Sequence, residues 1–478
     1  MPDLALRPFF APRSVAVVGA SAAKGKAGYF LFRNLLEGGY RGRLYPINPG
    51  TKRVLGCRTY GSIRDVPGPV DLAFLIVSAA HVMPALRECA ERRVKAVTIV
   101  TAGFAEVGNE GRARQMEIAE MLRRSRIRAV GPNSVGLVSA PNRLMGSFVP
   151  FPRWPAGRVA IAAQTGIFTG AFADQMSARS TQRLGFSRSL CLGNSIDVDE
   201  VDFIEYAGAD PQTDVIAVHL ESFKRGRAFL SAVNRVRRRK PIVVMKTGRT
   251  EAGARAAASH SGALAARDRI VDAALRQYGV VRANTLDDFI GFTQALAWLP
   301  PPRGNRLAVV TLSGAMGVMA VDEMEGTGLT LARFGPATVA AISRCLPAWQ
   351  PVKNPADVWM ALSMGAEQAH ADVLGAVLDD RNVDMLLCIL LPIPNADFDA
   401  VRQVFARLQR AHPEKPIVLV LVGGLVKERW LSALEPLRLP VYSDPGAAVR
   451  ALAAARFVVE RQTRACDDPR LPEPERVQ

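Results

Sequence analysis

The chain has 478 residues, of which 49% are hydrophobic and 22% charged, a globular balance that excludes a wholly disordered or fibrous protein. At about 150 residues per domain, the length points to about three domains with real cores. Lys and Arg number 61 against 44 Asp and Glu, a formal charge of +17, which favours anionic ligands, nucleic acid or an acidic protein partner.

In chain order, short apolar runs alternate with stretches of helical spacing. The runs Ser14–Val18, Leu44–Ile47, Val70–Val77, Ala96–Val100 and Ile127–Val130 form a first block. Val159–Ala163, Val215–Leu220 and Ile242–Met245 form a second, and Leu307–Leu312, Met385–Leu391 and Ile417–Val422 a third. Most are continuous rather than alternating, as strands buried on both faces require. Helical spacing lies between them, for example over Val82–Arg93 and Asp397–Arg410. Strand, helix, strand in repetition predicts α/β folding with open parallel sheets and right-handed crossovers. The Pro-rich segments Pro150–Gly157 and Pro300–Gly304 can continue neither a helix nor a central strand. They divide the chain into residues 1–150, 151–302 and 303–460. Residues 461–478, polar and Pro-rich, read as a mobile tail.

Several classes are expected to be absent. No apolar run approaches the ~18 residues of a membrane span. Met1–Ser14 has no basic segment followed by an apolar core, so no secretory signal is expected. The six cysteines are scattered without a CxxC pair, which argues against a metal site or disulfide framework and suits a cytoplasmic protein. The arginines are spread along the chain and aromatics are only 7%, a poor match to a nucleic-acid groove. The densest cluster, Arg235–Lys240, ends a helix-like stretch, where cations offset the helix dipole.

The first block opens with a strand running into Gly19-Ala-Ser21, then Lys24-Gly-Lys-Ala-Gly28 leading into a helix. In a doubly wound sheet this is where a phosphate meets free N–H groups at a helix start. The spacing is not GxGxxG. The second strand ends Ile47-Asn-Pro-Gly-Thr-Lys-Arg53, without the acid that an NAD ribose requires. A basic, amide-rich end suits a phosphorylated ribose, as in coenzyme A or NADP; a structural turn in a ligand-free domain is the plainer alternative.

Taken together, Gly19-Ala-Ser21, Tyr45-Pro-Ile-Asn-Pro49, Val70-Asp-Leu72, Thr101-Ala-Gly-Phe-Ala-Glu106 and Gly131-Pro-Asn-Ser134 resemble the CoA-binding domain of the nucleotide-diphosphate-forming acyl-CoA synthetases, relatives of the succinyl-CoA synthetase α subunit. The resemblance continues through Gly193-Asn-Ser-Ile-Asp-Val198, His219-Leu-Glu221, Lys246-Thr-Gly-Arg249 and Ser259-His-Ser-Gly-Ala-Leu264. Leu312-Ser-Gly314, Asn354-Pro-Ala-Asp357 and Val441-Tyr442 resemble the further C-terminal domain of ADP-forming acetyl-CoA synthetase α subunits. The resemblance implies a Rossmann-like CoA-binding domain followed by two flavodoxin-like domains. It implies an acid–CoA ligase that interconverts acyl-CoA, ADP and phosphate with carboxylic acid, CoA and ATP through a phosphohistidine.

It also implies residue roles. Gly19, Ala20, Ser21, Lys26, Asn48, Pro49, Lys52, Val77 and Ser78 would hold coenzyme A. His260, among small neighbours that admit a phosphoryl group, would be the phosphorylated residue, with Glu221 holding its other ring nitrogen. Asn133, Gln164, Thr165 and Gly166 would bind phosphate and substrate. The chain departs from the family pattern at Ala163 for the usual Ser, Ser134 for Cys, His219 for Tyr and Ala266 for Gly. Neither a GxxxxGK[ST] motif nor a block that reads as an ATP-grasp module is present, so ATP or ADP with Mg²⁺ is expected on a separate ATP-grasp β subunit in an α2β2 assembly. No metal is expected on this chain. A non-catalytic CoA-binding or regulatory protein is the alternative.

Overall fold

The computed structural model describes residues 6–149, 155–169, 184–261, 267–359, 367–392, 397–424 and 426–464. The chain divides into two compact units, the first ending at Arg282 and the second running from Ala283.

The first unit holds two main sheets. One is built from β1 (Ser14–Val18), β2 (Arg43–Ile47), β5 (Leu72–Leu75), β6 (Ala96–Ile99) and β7 (Arg128–Val130), in the order β2-β1-β5-β6-β7 and parallel throughout. A small hairpin, β3 (Arg53–Val54) and β4 (Cys57–Arg58), rises from the loop after β2. Helices Ala27–Glu37, Ala79–Glu91 and Asn109–Ser125 make the crossovers. β5 and β6 are buried along their whole length, which is why they read as unbroken apolar runs.

The other sheet contains β8 (Gly136–Ser139), β9 (Leu144–Ser147), β10 (Ala156–Ala163), β11 (Phe186–Cys191), β12 (Val215–Leu220), β13 (Ile242–Lys246) and β14 (Val281–Ala283), ordered β14-β13-β12-β10-β11-β8-β9. β13, β12, β10 and β11 are parallel; β8 and β9 add an antiparallel edge to β11. β8 and β9 precede residue 150, yet they pair into this second sheet. They also pack on the first sheet's elements. Asn34 of the helix Ala27–Glu37 donates to the carbonyls of Ser147 and Val149 at 2.8 and 2.6 Å. A Cβ on Gly146 would stand 2.3 Å from the ring of Phe74 in β5. One apolar core runs through both sheets and includes Phe32, Phe74, Leu137, Leu190 and Phe203. The short helix Arg7–Phe10 is wedged into it, Phe10 stacking on Tyr206 at 4.9 Å.

The second unit carries β15 (Arg306–Thr311), β16 (Thr330–Leu331), β17 (Ala356–Asp357), β18 (Met385–Leu390), β19 (Ile417–Leu421) and β20 (Val441–Tyr442). The order is β16-β15-β18-β19-β20, with β17 also paired to β15, and every pair is parallel. Tyr442 is buried, and its hydroxyl donates to the Gly291 carbonyl at 2.8 Å. The helix Pro445–Arg464 extends into the segment read as a tail; residues 465–478 lie outside the described residues. Among the described residues the fold is thus α/β with three main sheets, one of them mixed.

Lys240, the last residue of the basic cluster after the helix Gly226–Val236, is bound into backbone contacts. Lys240 donates to the carbonyls of Ala207 and Asp210 at 2.8 and 2.5 Å, at the end of the neighbouring helix Glu200–Ala209. No helix among the described residues is long and apolar enough to cross a membrane.

Candidate functional site

In the first sheet the strand order reverses at β1, with β2 on one side and β5 on the other. The carboxyl ends of β1 and β5 therefore open the crevice in which open α/β sheets take ligands. Gly19 leaves β1 with φ +97°, and a Cβ there would lie 2.3 Å from the Ile76 carbonyl oxygen beyond β5. Gly28 is as tight, its Cβ position 2.1 Å from the Gly19 carbonyl oxygen. The missing side chains let the turn, β5 and the helix start close on one another. Lys26 is the N-cap of that helix and makes no side-chain cap, which leaves first-turn N–H groups for an anion. Asn48 ties the second strand's loop to the first, donating to the Ala20 carbonyl at 2.7 Å and accepting the Gly50 N–H at 2.8 Å. Ala20 is buried, Ser21 and Val77 are half-buried, and Lys26, Pro49, Lys52 and Ser78 are exposed around the crevice.

Two loops join the sheets. Gly131–Asn133 leaves β7 and Gly193–Ser195 leaves β11. Asn194 N–H donates to the Pro132 carbonyl at 2.9 Å, and Ile196 N–H to the Gly131 carbonyl at 3.0 Å. Asn133 is exposed at φ +59°, with its N–H donating to the Thr101 carbonyl at 2.9 Å. Glu106 braces the junction. It accepts the N–H groups of Gly103 and Phe104 at 2.7 and 3.1 Å, and Asn194 Nδ2 at 2.6 Å. Burial alone would raise its pKa, but these donors outweigh it and hold the carboxyl below its ordinary value. Nearby, Asp199 caps the helix Glu200–Ala209 and pairs with Arg225 at 2.6 Å. Glu200 is fully buried; burial foremost, and the adjacent Asp199, push its carboxyl up to about 7.

β10, β12 and β13 are parallel neighbours, so their carboxyl ends stand side by side. β10 delivers Gln164, Thr165 and Gly166; β12 delivers Glu221; β13 delivers the Thr247–Thr250 turn and then the helix Glu251–Ser261, which includes His260. Gln164 Oε1 accepts the N–H groups of Glu221 and Ser222 at 2.6 and 3.1 Å, and Nε2 donates to the Ser222 carbonyl at 2.9 Å. A Cβ on Gly166 would stand 2.3 Å from Val135, so the segment is pressed against the chain that leaves Asn133.

The sequence reading puts His260 in a small-residue loop, whereas the backbone is helical through Ser261. Thr250 accepts the Gly253 N–H at 3.0 Å as a cap, and Ala252, Ala254, Ala256, Ala257 and Ala258 are strong helix formers. This helix packs against the turn Ala105–Val107. The side chain of His260 lies outside the described residues.

Two neighbours, His219 and Lys246, escaped the sequence reading as site residues. His219 is buried two residues before Glu221, stacked on Phe168 at 3.9 Å and 3.3 Å from Thr247 Oγ1. Burial foremost, with Lys246 nearby, lowers its pKa to about 3, so the ring is neutral. Lys246 is buried too, its ammonium donating to the carbonyls of Thr247 and Gly248 at 2.7 and 3.2 Å, and burial lowers its pKa. The signal for His219 was the period of two in β12, which puts residues 219 and 221 on one face.

Fold and site together define an α/β protein with a glycine-lined crevice at the carboxyl ends of β1 and β5 and a second loop-bearing edge in the same unit. A CoA binding domain model matches residues 13–140, and a succinyl-CoA ligase like flavodoxin domain model matches residues 156–296. The chain is 34% identical to the acetate–CoA ligase [ADP-forming] II subunit alpha of Pyrococcus furiosus, over 95% of this chain and 97% of that one. It is 35% identical to acetate–CoA ligase [ADP-forming] II of Archaeoglobus fulgidus, over 97% of this chain and 68% of that protein. Among solved structures, the acetyl-coenzyme A synthetase 1 of Ca. Korarchaeum cryptofilum, in complex with phosphate and ADP, superposes with a TM-score of 0.89 at 32% identity, covering 98% of this chain and 99% of that one. The chain belongs to the family of ADP-forming acetate–CoA ligases, acid–thiol ligases related to succinyl-CoA ligase.

Proposed function

We propose that this chain is the α subunit of an ADP-forming acid–CoA ligase acting through phospho-His260. In this reading CoA or its thioester lies in the crevice of Gly19–Ser21, Lys26, Asn48, Pro49, Lys52, Val77 and Ser78. Phosphate attacks the thioester carbonyl and releases CoA as thiol, giving an acyl phosphate near Asn133 and the Gln164–Gly166 segment. A neutral His260 nitrogen then takes the phosphoryl group, and the carboxylate leaves. Glu221 offsets the imidazolium charge. An ATP-grasp partner, in an α2β2 complex, holds ADP with Mg²⁺ and receives the phosphoryl group as ATP. Residues 1–150 bind CoA, 151–302 carry the phosphoryl chemistry, and 303–460 form the further family domain. The cytoplasm is the proposed location, in keeping with the five described cysteines, all free thiols.

The observation that carries this reading is the adjacency of three strand ends. Neighbouring β10, β12 and β13 emit, in turn, the Gln164–Gly166 segment, Glu221 and the His260 helix. A phosphoryl group needs positioning and charge neutralisation above all, and this edge offers backbone donors and a carboxylate, with the helix that carries His260 following from the neighbouring strand. Labelled phosphate and acyl-CoA test it. The label should sit on His260, be acid-labile and alkali-stable, and pass to ADP only when the ATP-grasp partner is added. ATP formation by this chain alone would overturn the proposed division of labour. A chain that binds CoA but never takes label would be a non-catalytic CoA-binding or regulatory protein, a reading that Ala163, lacking the family's usual hydroxyl, favours.

A further inference from the structure

His219 occupies a position that the proposed reaction does not use. Its ring is 2% exposed and lies flat against Phe168, with centroids 3.9 Å apart and planes 11° from parallel. Phe168 belongs to the segment Gln164–Thr169 beyond β10, whereas His219 is on β12. On its far side, Nε2 is 3.3 Å from Oγ1 of Thr247, in the turn beyond β13. Nδ1 is buried with no hydrogen-bond partner among the described residues. A buried, unpaired N–H is unfavourable, so the single proton belongs on Nε2, which donates to Thr247. One flat ring thus touches all three strand ends: Phe168 by stacking, Thr247 by a hydrogen bond, and the Glu221 end through its own chain. The Gln164 side chain holds the segment's first residue and Val135 crowds Gly166, while the stack holds Phe168.

We propose that His219 is a positioning residue for phosphoryl transfer, clamping the Gln164–Thr169 segment through Phe168 so that its donors keep one distance from Glu221 and from the turn leading to the His260 helix. The proposal rests on the function proposed above for that segment. A neutral ring suits the task, because a cation there would be buried and would face Lys246. A flat ring with a polar tip is also what a tyrosine supplies, so His219→Tyr should preserve the clamp, whereas His219→Leu should lose both the stack and the hydrogen bond.

Hydrogen exchange on the full chain reads the clamp without any turnover. In His219→Leu the amides of Thr165 to Phe168 should exchange about two- to tenfold faster, the range expected for one lost aromatic stack, while β10 and β12 stay protected. With the ATP-grasp partner and inorganic phosphate, the same variant should raise KM for phosphate by a similar factor, with a smaller change in kcat. His219→Tyr should restore both. Unchanged exchange and unchanged KM in His219→Leu would overturn the proposal. If wild type shows no phosphate-dependent turnover, the proposed function falls, and the exchange result still decides the clamp. If His219→Leu does not fold, Phe168→Ala opens the clamp from the other side. The His219 ring, followed by NMR, should then titrate near its ordinary range of about 6.5 instead of staying neutral to about 3. A ring that remains buried and neutral in Phe168→Ala, with Thr165–Phe168 exchange unchanged, would equally overturn it.

Discussion

The side chain of Gln164 pairs with the backbone of Glu221: its Oε1 accepts the Glu221 N–H at 2.6 Å, while Nε2 donates to the carbonyl of Ser222 at 2.9 Å. The amide of a side chain here continues the β10–β12 ladder after the main chain has turned away. The backbone of Glu221 is therefore held in place by Gln164.

Gln164→Ala removes three hydrogen bonds to one strand end. At about 0.5–1.5 kcal/mol net each, stability should fall by about 1.5–4.5 kcal/mol. Phosphoenzyme formation should fall by more than the folded fraction does, because Glu221 loses its register. Denaturant unfolding beside labelling with acyl-CoA and labelled phosphate separates the two effects; equal losses would count against the orienting role.

His260→Ala should abolish the label. Glu221→Gln keeps a hydrogen-bonding group but no charge, so it should lower the labelling rate by about 10²–10³ without unfolding the protein. Full labelling in His260→Ala would remove the histidine from the reaction.

In the crevice, Gly19→Ala places a Cβ 2.3 Å from the Ile76 carbonyl oxygen at a φ that L side chains rarely adopt. CoA binding measured by calorimetry should weaken at least tenfold, while wild type binds CoA more tightly than NAD or NADP. NAD binding as tight as CoA would show that the basic end of the second strand has been misread.

Glu200 gives the protein a pH-dependent weakness. Its folded pKa, about 7, lies above the ordinary carboxyl value of 4.5 because the group is buried beside Asp199. Below pH 4.5 both folded and unfolded forms are protonated and nothing is lost. Between 4.5 and 7 the unfolded chain gives up the proton and the folded one keeps it, so stability falls as pH rises, by a total of order 3 kcal/mol. Glu200→Gln should remove that slope. Its melting temperature relative to wild type should climb from pH 5 to pH 8; a constant difference would contradict this account.

Much of this was legible beforehand because the parallel strands are apolar throughout. β1, β5, β12, β15, β18 and β19 fall on runs visible in the sequence, and Val82–Arg93 and Asp397–Arg410 overlay the helices Ala79–Glu91 and Phe398–Ala411. β11 was not legible. Ser187, Arg188 and Ser189 break its apolar pattern, yet all three are buried, Arg188 against Asp210 at 3.4 Å and Ser187 against Thr213 at 2.7 Å. β8 and β9 were missed because Gly136, Ser139, Gly146 and Ser147 leave each too few apolar residues to make a run, and the second partner of β8, β11, is distant in sequence. Within the site, the resemblance picked out residues by type, but the Phe168–His219 stack depends on a packing distance that no spacing encodes.

The hairpin β8–β9 sets a schedule for synthesis. It lies against Phe74 and Asn34, in parts of the chain already made, but its outward partner β11 begins at Phe186, about forty residues after β9 ends. At about 5–20 residues per second, the emerging chain spends about 2 to 8 seconds with one edge of β8, the edge that β11 will cover, unanswered. During that interval the nearest complementary strand is the same hairpin on a neighbouring nascent chain. Slow translation while β8–β9 has cleared the ribosome and β11 has not should therefore favour aggregates over folded protein, whereas the same delay once β11 has emerged should be harmless.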